Sequence, residues 1–216
     1  MDSLIIGAGG HGKVVLEILR TQQDCNPIGF LDADPALAGT LVHDLPVLGG
    51  INELSRLRQR KIRHAIVAIG DNRARRRYAH ALREHGYELL TAIHPAASVS
   101  PSATIGTNVV IAAGAVVCAD ARIGDSVIIN TAAVVDHECD IAEAAHICPA
   151  AALAGRVRVG EEAFVGLGAK IIQCLSIGPQ SIIGAGAVVI GDIPAHSTAV
   201  GVPARVIQRK LRSSAA

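Results

Sequence analysis

The chain has 216 residues, with 20 Lys+Arg against 19 Asp+Glu, and half of it is hydrophobic, enough for one or two globular domains and too apolar for disorder. Its apolar half is nearly all Ala, Val, Ile and Leu; Trp is absent and Phe and Tyr number 2 each, which excludes a sandwich built round a buried Trp or an aromatic platform for single strands. A net charge of +1 lacks the basic field that phosphate-backbone binding needs, so no nucleic-acid partner is expected.

The opening MDSLIIGAGG has no basic stretch before its apolar run, and Gly or charged residues break every hydrophobic run before about 18 residues, so neither a secretion signal nor a membrane span is expected. Leu4 to Ile6 reads as a short strand running into Gly7-Ala8-Gly9-Gly10-His11-Gly12, then a helix on which Val14, Val15, Ile18 and Leu19 share a face. Further strands are expected at Ile28 to Leu31, Ala65 to Ile69 and Glu88 to Ile93, with helical segments near Ile51 to Arg60 and Asn72 to His85. Alternating strand and helix implies a small parallel sheet over residues 1–93.

The Gly7, Gly9, Gly12 spacing follows a strand, opens a helix and is followed by Asp32, which are the cues of a dinucleotide fold. Ninety residues supply only one mononucleotide-binding half, however, so a single nucleotide fits better than NAD. Free N–H groups at the helix start near Gly12 and Lys13 would hold a diphosphate, and Asp32 or Asp34 would accept from ribose or base. The alternative is a Gly-rich turn present only for packing. Gly70 and Asn72 end another strand, where open parallel sheets place ligands. The basic run Arg73, Arg75, Arg76 and Arg77 is either solvated surface or a phosphate contact, and His94 to Pro101 reads as a linker.

From Val99 a branched aliphatic recurs every six residues through Ile105, Ile111, Val117 and onward to Val189, with a small or apolar residue four places later and often Gly one place later. A period of six fits neither an α-helix nor a simple strand. It fits a coil of short flat strands with tight corners, both apolar positions pointing inward and Gly relieving the bend. This resembles the hexapeptide-repeat acyltransferases, whose domain is a left-handed parallel β-helix of three hexads per turn. The expected fold is therefore an α/β Rossmann-like half-domain over 1–93, a β-helix of about five turns over 94–203, and a capping tail over 204–216.

On the coil, Asp136-His137-Glu138 places a histidine at an outward corner, with a carboxylate to orient it and raise its basicity. An 18-residue turn added to His137 lands on Gly155, whose peptide N–H would face the same group, which makes a base with an oxyanion donor. His146 lies half a turn on and cannot touch His137 within one chain, although corners of different subunits could meet in a homotrimer, the usual assembly of this fold family. Five cysteines without a C-x-x-C pair argue against a disulfide framework or zinc site, so a cytoplasmic setting and no metal are expected.

GAGGHG, FLD, AIGDN, NTAAVVDHECDIAEAAH, AGRVRVG and GVPAR together resemble bacterial nucleotide-sugar acetyltransferases of the sialic-acid O-acetyltransferase-like group, nearest the UDP-4-amino-sugar (bacillosamine-type) N-acetyltransferases. That resemblance covers essentially the whole chain. It implies acetyl-CoA as co-substrate and a nucleotide-diphosphate 4-amino-4,6-dideoxy sugar as acceptor, joined by direct transfer at subunit interfaces. It further implies His137 as general base supported by Glu138, Gly155 as oxyanion donor, and His146 against the thioester arm. Leu167 and Ala185 would line the pantetheine path, the family also admitting Gly at the Ala185 position. Gly9, Gly10, His11, Asp32 and Gly70 would hold the nucleotide sugar. Asn130 would either touch the sugar or bond between coils. Arg205, Arg209, Lys210 and Arg212 would cap the coil or attract coenzyme phosphates. Three alternatives stand beside this reading: O-acetylation of sialic acid or another hydroxyl, a zinc hydratase on the same coil, and a non-enzymatic nucleotide-sugar scaffold.

Overall fold

The structure is a computed structural model that describes residues 1–207; Arg209, Lys210 and Arg212 lie outside the described residues. In chain order the N-terminal part contains β1 (Asp2–Ile6), α1 (Gly10–Thr21), β2 (Asn26–Leu31), the hairpin β3 (Leu41–Val42) and β4 (Leu45–Pro46), α2 (Leu54–Gln59), β5 (His64–Val67), α3 (Asn72–Glu84) and β6 (Glu88–Leu89). β2-β1-β5-β6 form a parallel sheet. The two-residue alternation along β1 divides its burial: Ile5 packs with Val15, Leu16, Ile18 and Leu19 of α1, whereas Leu4 and Ile6 pack with Leu54 and Leu57 of α2 and Ala79 and Leu82 of α3. Val14, expected on the buried face of α1, is exposed, and Leu16 takes that place.

The segment expected as one strand from Glu88 to Ile93 is two. β6 closes the first sheet, and β7 (Ala92–Ile93) pairs with Val110–Ile111 as the first strand of the coil. His94 to Pro101 is accordingly no linker: Ser98–Val99 within it pairs with Val116–Val117. With β7 added the coil has about six turns rather than five. The fold is thus an α/β half-domain followed by a left-handed parallel β-helix.

Three sheets make the sides of the coil. Face one carries Val110–Ile111, Ile128–Ile129, His146–Ile147 and Phe164–Val165; face two carries Val116–Val117, Val134–Val135 and Ala152–Leu153; face three carries Arg122–Ile123, Asp140–Ile141 and Arg158–Val159. Partners stand 18 residues apart, until the last winding takes 16, where Thr198 pairs with Ile182 and Ile193 bridges Ile177. Both repeated positions of the hexad fill one core of aliphatics from Val109 to Ala204.

The glycines act differently from expectation. The bend falls three places after each large aliphatic, at Asn108, Ala132, Glu138, Ala144, Arg156 and their equivalents, where φ lies between 55° and 63° in non-glycine residues. Gly at the place after the aliphatic serves close approach instead: a Cβ on Gly160 would sit 2.5 Å from the Pro179 nitrogen, and one on Gly124 3.0 Å from the Ile141 carbonyl oxygen, both on the next winding.

Candidate active site

Three edges of the coil have three different occupants. The edge between faces three and one is covered by α3, which is 13 residues and about 20 Å long and so spans four winding steps of about 4.8 Å. Down that edge Arg83 meets Thr107 and Asp125, His80 meets Glu143, Arg76 meets Glu143, Glu161 and Glu162, and Arg73 meets Glu162 and Gln180. Asn72 donates to the carbonyls of Glu162 and Ala163. Within the basic run, Arg75 and Arg76 are thus drawn into contacts with the coil, whereas Arg73 reaches Glu162 and Gln180 from a largely exposed position. Arg77 alone turns the other way, against the ring of Tyr78 and into the cavity described next.

That cavity, of about 450 Å³, lies at the carboxyl ends of β1, β2 and β5, and Gly9, Gly10, His11, Asp32 and Gly70 all line it. No side chain caps α1 and no acidic residue stands in its first turn, so the N–H groups after Gly9 remain without helical acceptors. A Cβ on Gly9, Gly10 or Gly70 would meet nothing within 4 Å, which leaves the floor open to a ligand. Asp32 is partly spent on the loop itself, accepting from the Ala8 N–H at 2.7 Å and the Asp34 N–H at 2.9 Å. Asp34 caps a short 3-10 turn through the Ala36 N–H.

The edge between faces two and three carries His137. Its Nδ1 lies 3.0 Å from Glu138 Oε2, which assigns the Nδ1 proton to that contact and leaves Nε2 with a free lone pair. Its ring stands over Gly155: a Cβ added there would fall 2.5 Å from both Cε1 and Nε2. Gly155 is buried, and among the described residues its N–H reaches no backbone acceptor. The side chain of His137 remains half exposed.

The edge between faces one and two carries Asn130, Leu167 and Ala185. Leu167 is 58% exposed, and its carbonyl accepts from the Gly186 N–H one winding on, which stacks Ala185 over it. His146, on face one beside this edge, is buried, with Phe164 edge-on at a centroid distance of 5.3 Å. Burial, then Arg75, then His11 hold its pKa down to about 3. His11 is likewise lowered to about 4, by burial and by Arg75. His146, His11 and Gly70 are thus brought together, whereas His137 stands on another edge of the same chain.

Among the described residues no group of three or more His, Cys, Asp and Glu could hold a metal ion. The family model described as the PglD N-terminal domain matches residues 3–82. Perosamine N-acetyltransferase from Caulobacter crescentus, solved as a histidine-to-asparagine variant with CoA and GDP-perosamine, is 46% identical at a TM-score of 0.92, over 97% of this chain and 98% of that one. The chain belongs to the nucleotide-amino-sugar N-acetyltransferases. Within that family, the acetyltransferase domain of PglB from Neisseria gonorrhoeae, solved with acetyl coenzyme A, is 41% identical over 95% of this chain and 98% of that one, at a TM-score of 0.90. A UDP-N-acetylbacillosamine N-acetyltransferase of Bacillus subtilis is 42% identical over 110 residues, and this chain spans about half the length of that relative.

For this N-acetyltransferase, sequence reasoning named Arg75 and Arg77 only within the basic run, and missed both the buried role of Arg75 and the place of Tyr78 at the cavity. Arg75 is fully buried: Nε donates to the Ser126 carbonyl, Nη1 to those of Ile69 and Gly70, and Nη2 to the Ala144 and Ala145 carbonyls and to Asn72 Oδ1. Its guanidinium pKa falls to about 10, by burial. The signal lay in the spacing of α3, since an arginine at helical period with Asn72, Ala79 and Leu82 sits on the buried face.

Proposed function

We propose that the chain transfers acetyl from acetyl-CoA directly to the 4-amino group of a nucleotide-diphosphate-linked 4-amino-4,6-dideoxy sugar. The observation that carries this is the His137 edge, where an imidazole oriented by a carboxylate stands over a glycine whose amide has no acceptor among the described residues. His137 Nε2 takes the proton as the amine attacks the thioester carbonyl, Glu138 supports the resulting imidazolium, and the Gly155 N–H receives the developing oxyanion. The new amide C–N bond forms as the C–S bond breaks, and CoA leaves as thiolate, to be protonated by solvent or by the imidazolium.

Three further features support the reading. Relatives over nearly the whole chain are described as bound to CoA with GDP-perosamine, or to acetyl coenzyme A. The open Gly floor and free helix start near Gly9, Gly10, His11, Asp32 and Gly70 suit a nucleoside diphosphate. Leu167 and Ala185 form an exposed apolar step for a pantetheine arm, and His146 lies beside that edge. Because this step and His137 are on different edges, the site is completed by neighbouring copies in a homotrimer, each lending one edge. The division of labour follows the two domains, nucleotide sugar on the α/β half and acetyl transfer on the coil, with the limit drawn before Ala92 because β7 already belongs to the coil. No helix among the described residues is long and apolar enough to cross a membrane, and the five cysteines are unpaired, which suits a cytoplasmic enzyme.

A thiol-release assay with acetyl-CoA and a panel of UDP-, GDP- and dTDP-linked 4-amino-4,6-dideoxy sugars tests this reading. Release is expected with one nucleotide class and only with the free amine; no release with any member of the panel overturns it.

A further inference from the structure

His146 sits in a hydrogen-bond setting that fixes its protonation state by geometry. The Asn130 amide is oriented from its far end: Oδ1 accepts from the Thr131 N–H at 2.8 Å, so Nδ2 is the atom 3.1 Å from His146 Nε2. Nδ2 can only donate, so Nε2 must accept, and the ring proton belongs on Nδ1. That Nδ1 is buried and makes no hydrogen bond of ordinary geometry, although the Gly70 backbone lies beside it. A second proton would set an N–H against the Asn130 NH₂ and add a cation near Arg75. Asp71, Glu162 and Cys148 act on Arg75, and Arg75 and His11 are the charged and titratable groups that act on His146. Among the described residues no carboxylate acts on the imidazole, and the Gly70 backbone contact that favours its charged form is outweighed by burial and the two neighbouring groups.

We propose that Asn130 and Arg75 are positioning residues that lock His146 as a neutral imidazole with its proton on Nδ1, a fixed hydrogen-bond donor that takes no part as a base. Arg75 fixes its place as well as its charge. One guanidinium holds both the Ile69 and Gly70 carbonyls, at the end of the strand beneath the nucleotide cavity, and the Ala144 and Ala145 carbonyls immediately before His146. The spacing between the cavity and the buried Nδ1–H is thereby set by one side chain, and the acceptor beside that donor is the Gly70 backbone at the cavity floor. The inference extends the proposed acetyl transfer by dividing labour between the two histidines, but its test is made on the free protein and does not depend on that activity.

The test is nitrogen-detected NMR of histidine-labelled full-length protein, with the His146→Gln variant used to assign the ring. His146 is expected to keep its proton on Nδ1 and to show no inflection between pH 5 and 8. In Asn130→Asp the carboxylate should draw the proton to Nε2, and in Arg75→Gln the inflection should rise by about one to three pH units. A wild-type ring protonated on Nε2, or one titrating within that window, overturns the proposal whether or not the variants fold. Unchanged tautomer and titration in folded Asn130→Asp and Arg75→Gln would remove these two residues from the role. A thiol-release assay that failed while the NMR result held would overturn the acetyl-transfer reading alone.

Discussion

At His137 the ring is held from two sides and open on the others. Glu138 accepts a hydrogen bond from its Nδ1–H, and its far nitrogen stands against the bare Cα of Gly155. Replacing His137 with Ala should lower kcat at least about a hundredfold, as expected for loss of a general base, without changing the thermal transition. Gly155→Ala is the sharper probe. The nearest atoms to its Cβ all belong to the His137 ring, so the methyl group should displace the imidazole and lose most turnover while the winding stays intact. Circular dichroism melts beside steady-state rates separate the two effects. The sequence made this pair legible because 18-residue register is arithmetic: once the hexads are counted, His137 and Gly155 must share an edge. Asp32 shows the opposite case, for its spacing after the glycine loop announced a carboxylate at the strand end but could not show that Ala8 and Asp34 take part of it.

Among the elements, α3 joins the two halves of the molecule, and its charges differ in worth by their burial. Arg75 satisfies buried carbonyls from three windings or strand ends. Arg75→Met should cost about 3 kcal/mol or more, since several buried acceptors would be left unmade. Arg83→Ala removes an ion pair with Asp125 in which both side chains are more than a third exposed, and should cost about 1 kcal/mol or less. Urea midpoints of the two variants give that ranking directly. The hexad pattern foretold the coil because each winding repeats the same local demand, whereas β6 and β7 were merged because Leu90 and Thr91, between them, carry no Gly or Pro to mark the break. The match between the length of α3 and four steps of the coil is a property of two elements together, and no local pattern in either reports it.

For the whole molecule, two neutral imidazoles, His146 buried and His11 half-buried at the cavity, couple folding to pH. His11 and His146 have pKa values of about 4 and about 3 when folded, against 6.5 when exposed, so the unfolded chain binds more protons between those values. Stability is then full above about pH 6.5 and falls as pH drops towards 4, by about 1.4 kcal/mol per pH unit for each ring. Denaturant unfolding at pH 7 and pH 5 should show the loss, and His146→Gln should reduce it. The separation of the His137 edge from the nucleotide cavity bears on assembly. If neighbouring copies complete each site, a coexpressed mixture of His137→Ala with the cavity variant Gly9→Val should recover about a quarter of wild-type activity, the fraction of interfaces pairing an intact cavity with an intact edge. Absence of any recovery in mixed oligomers would place the whole site within one chain.

By itself the sequence determined the coil, its period, the inward aliphatics and the shared edge of His137 and Gly155, because these follow from a repeat in which every winding meets the same neighbours. It also marked the glycine loop and the strand ends around Asp32 and Gly70, since only a few residue types permit such a turn. Tertiary structure alone decided what the arginines of α3 do, where His146 is buried, and which nitrogen of its ring carries the proton. Those outcomes depend on an amide from the neighbouring winding and on carbonyls met by a cation from another domain, as in the bond from Arg75 to Ser126 51 residues away, and no local periodicity encodes a meeting of that kind.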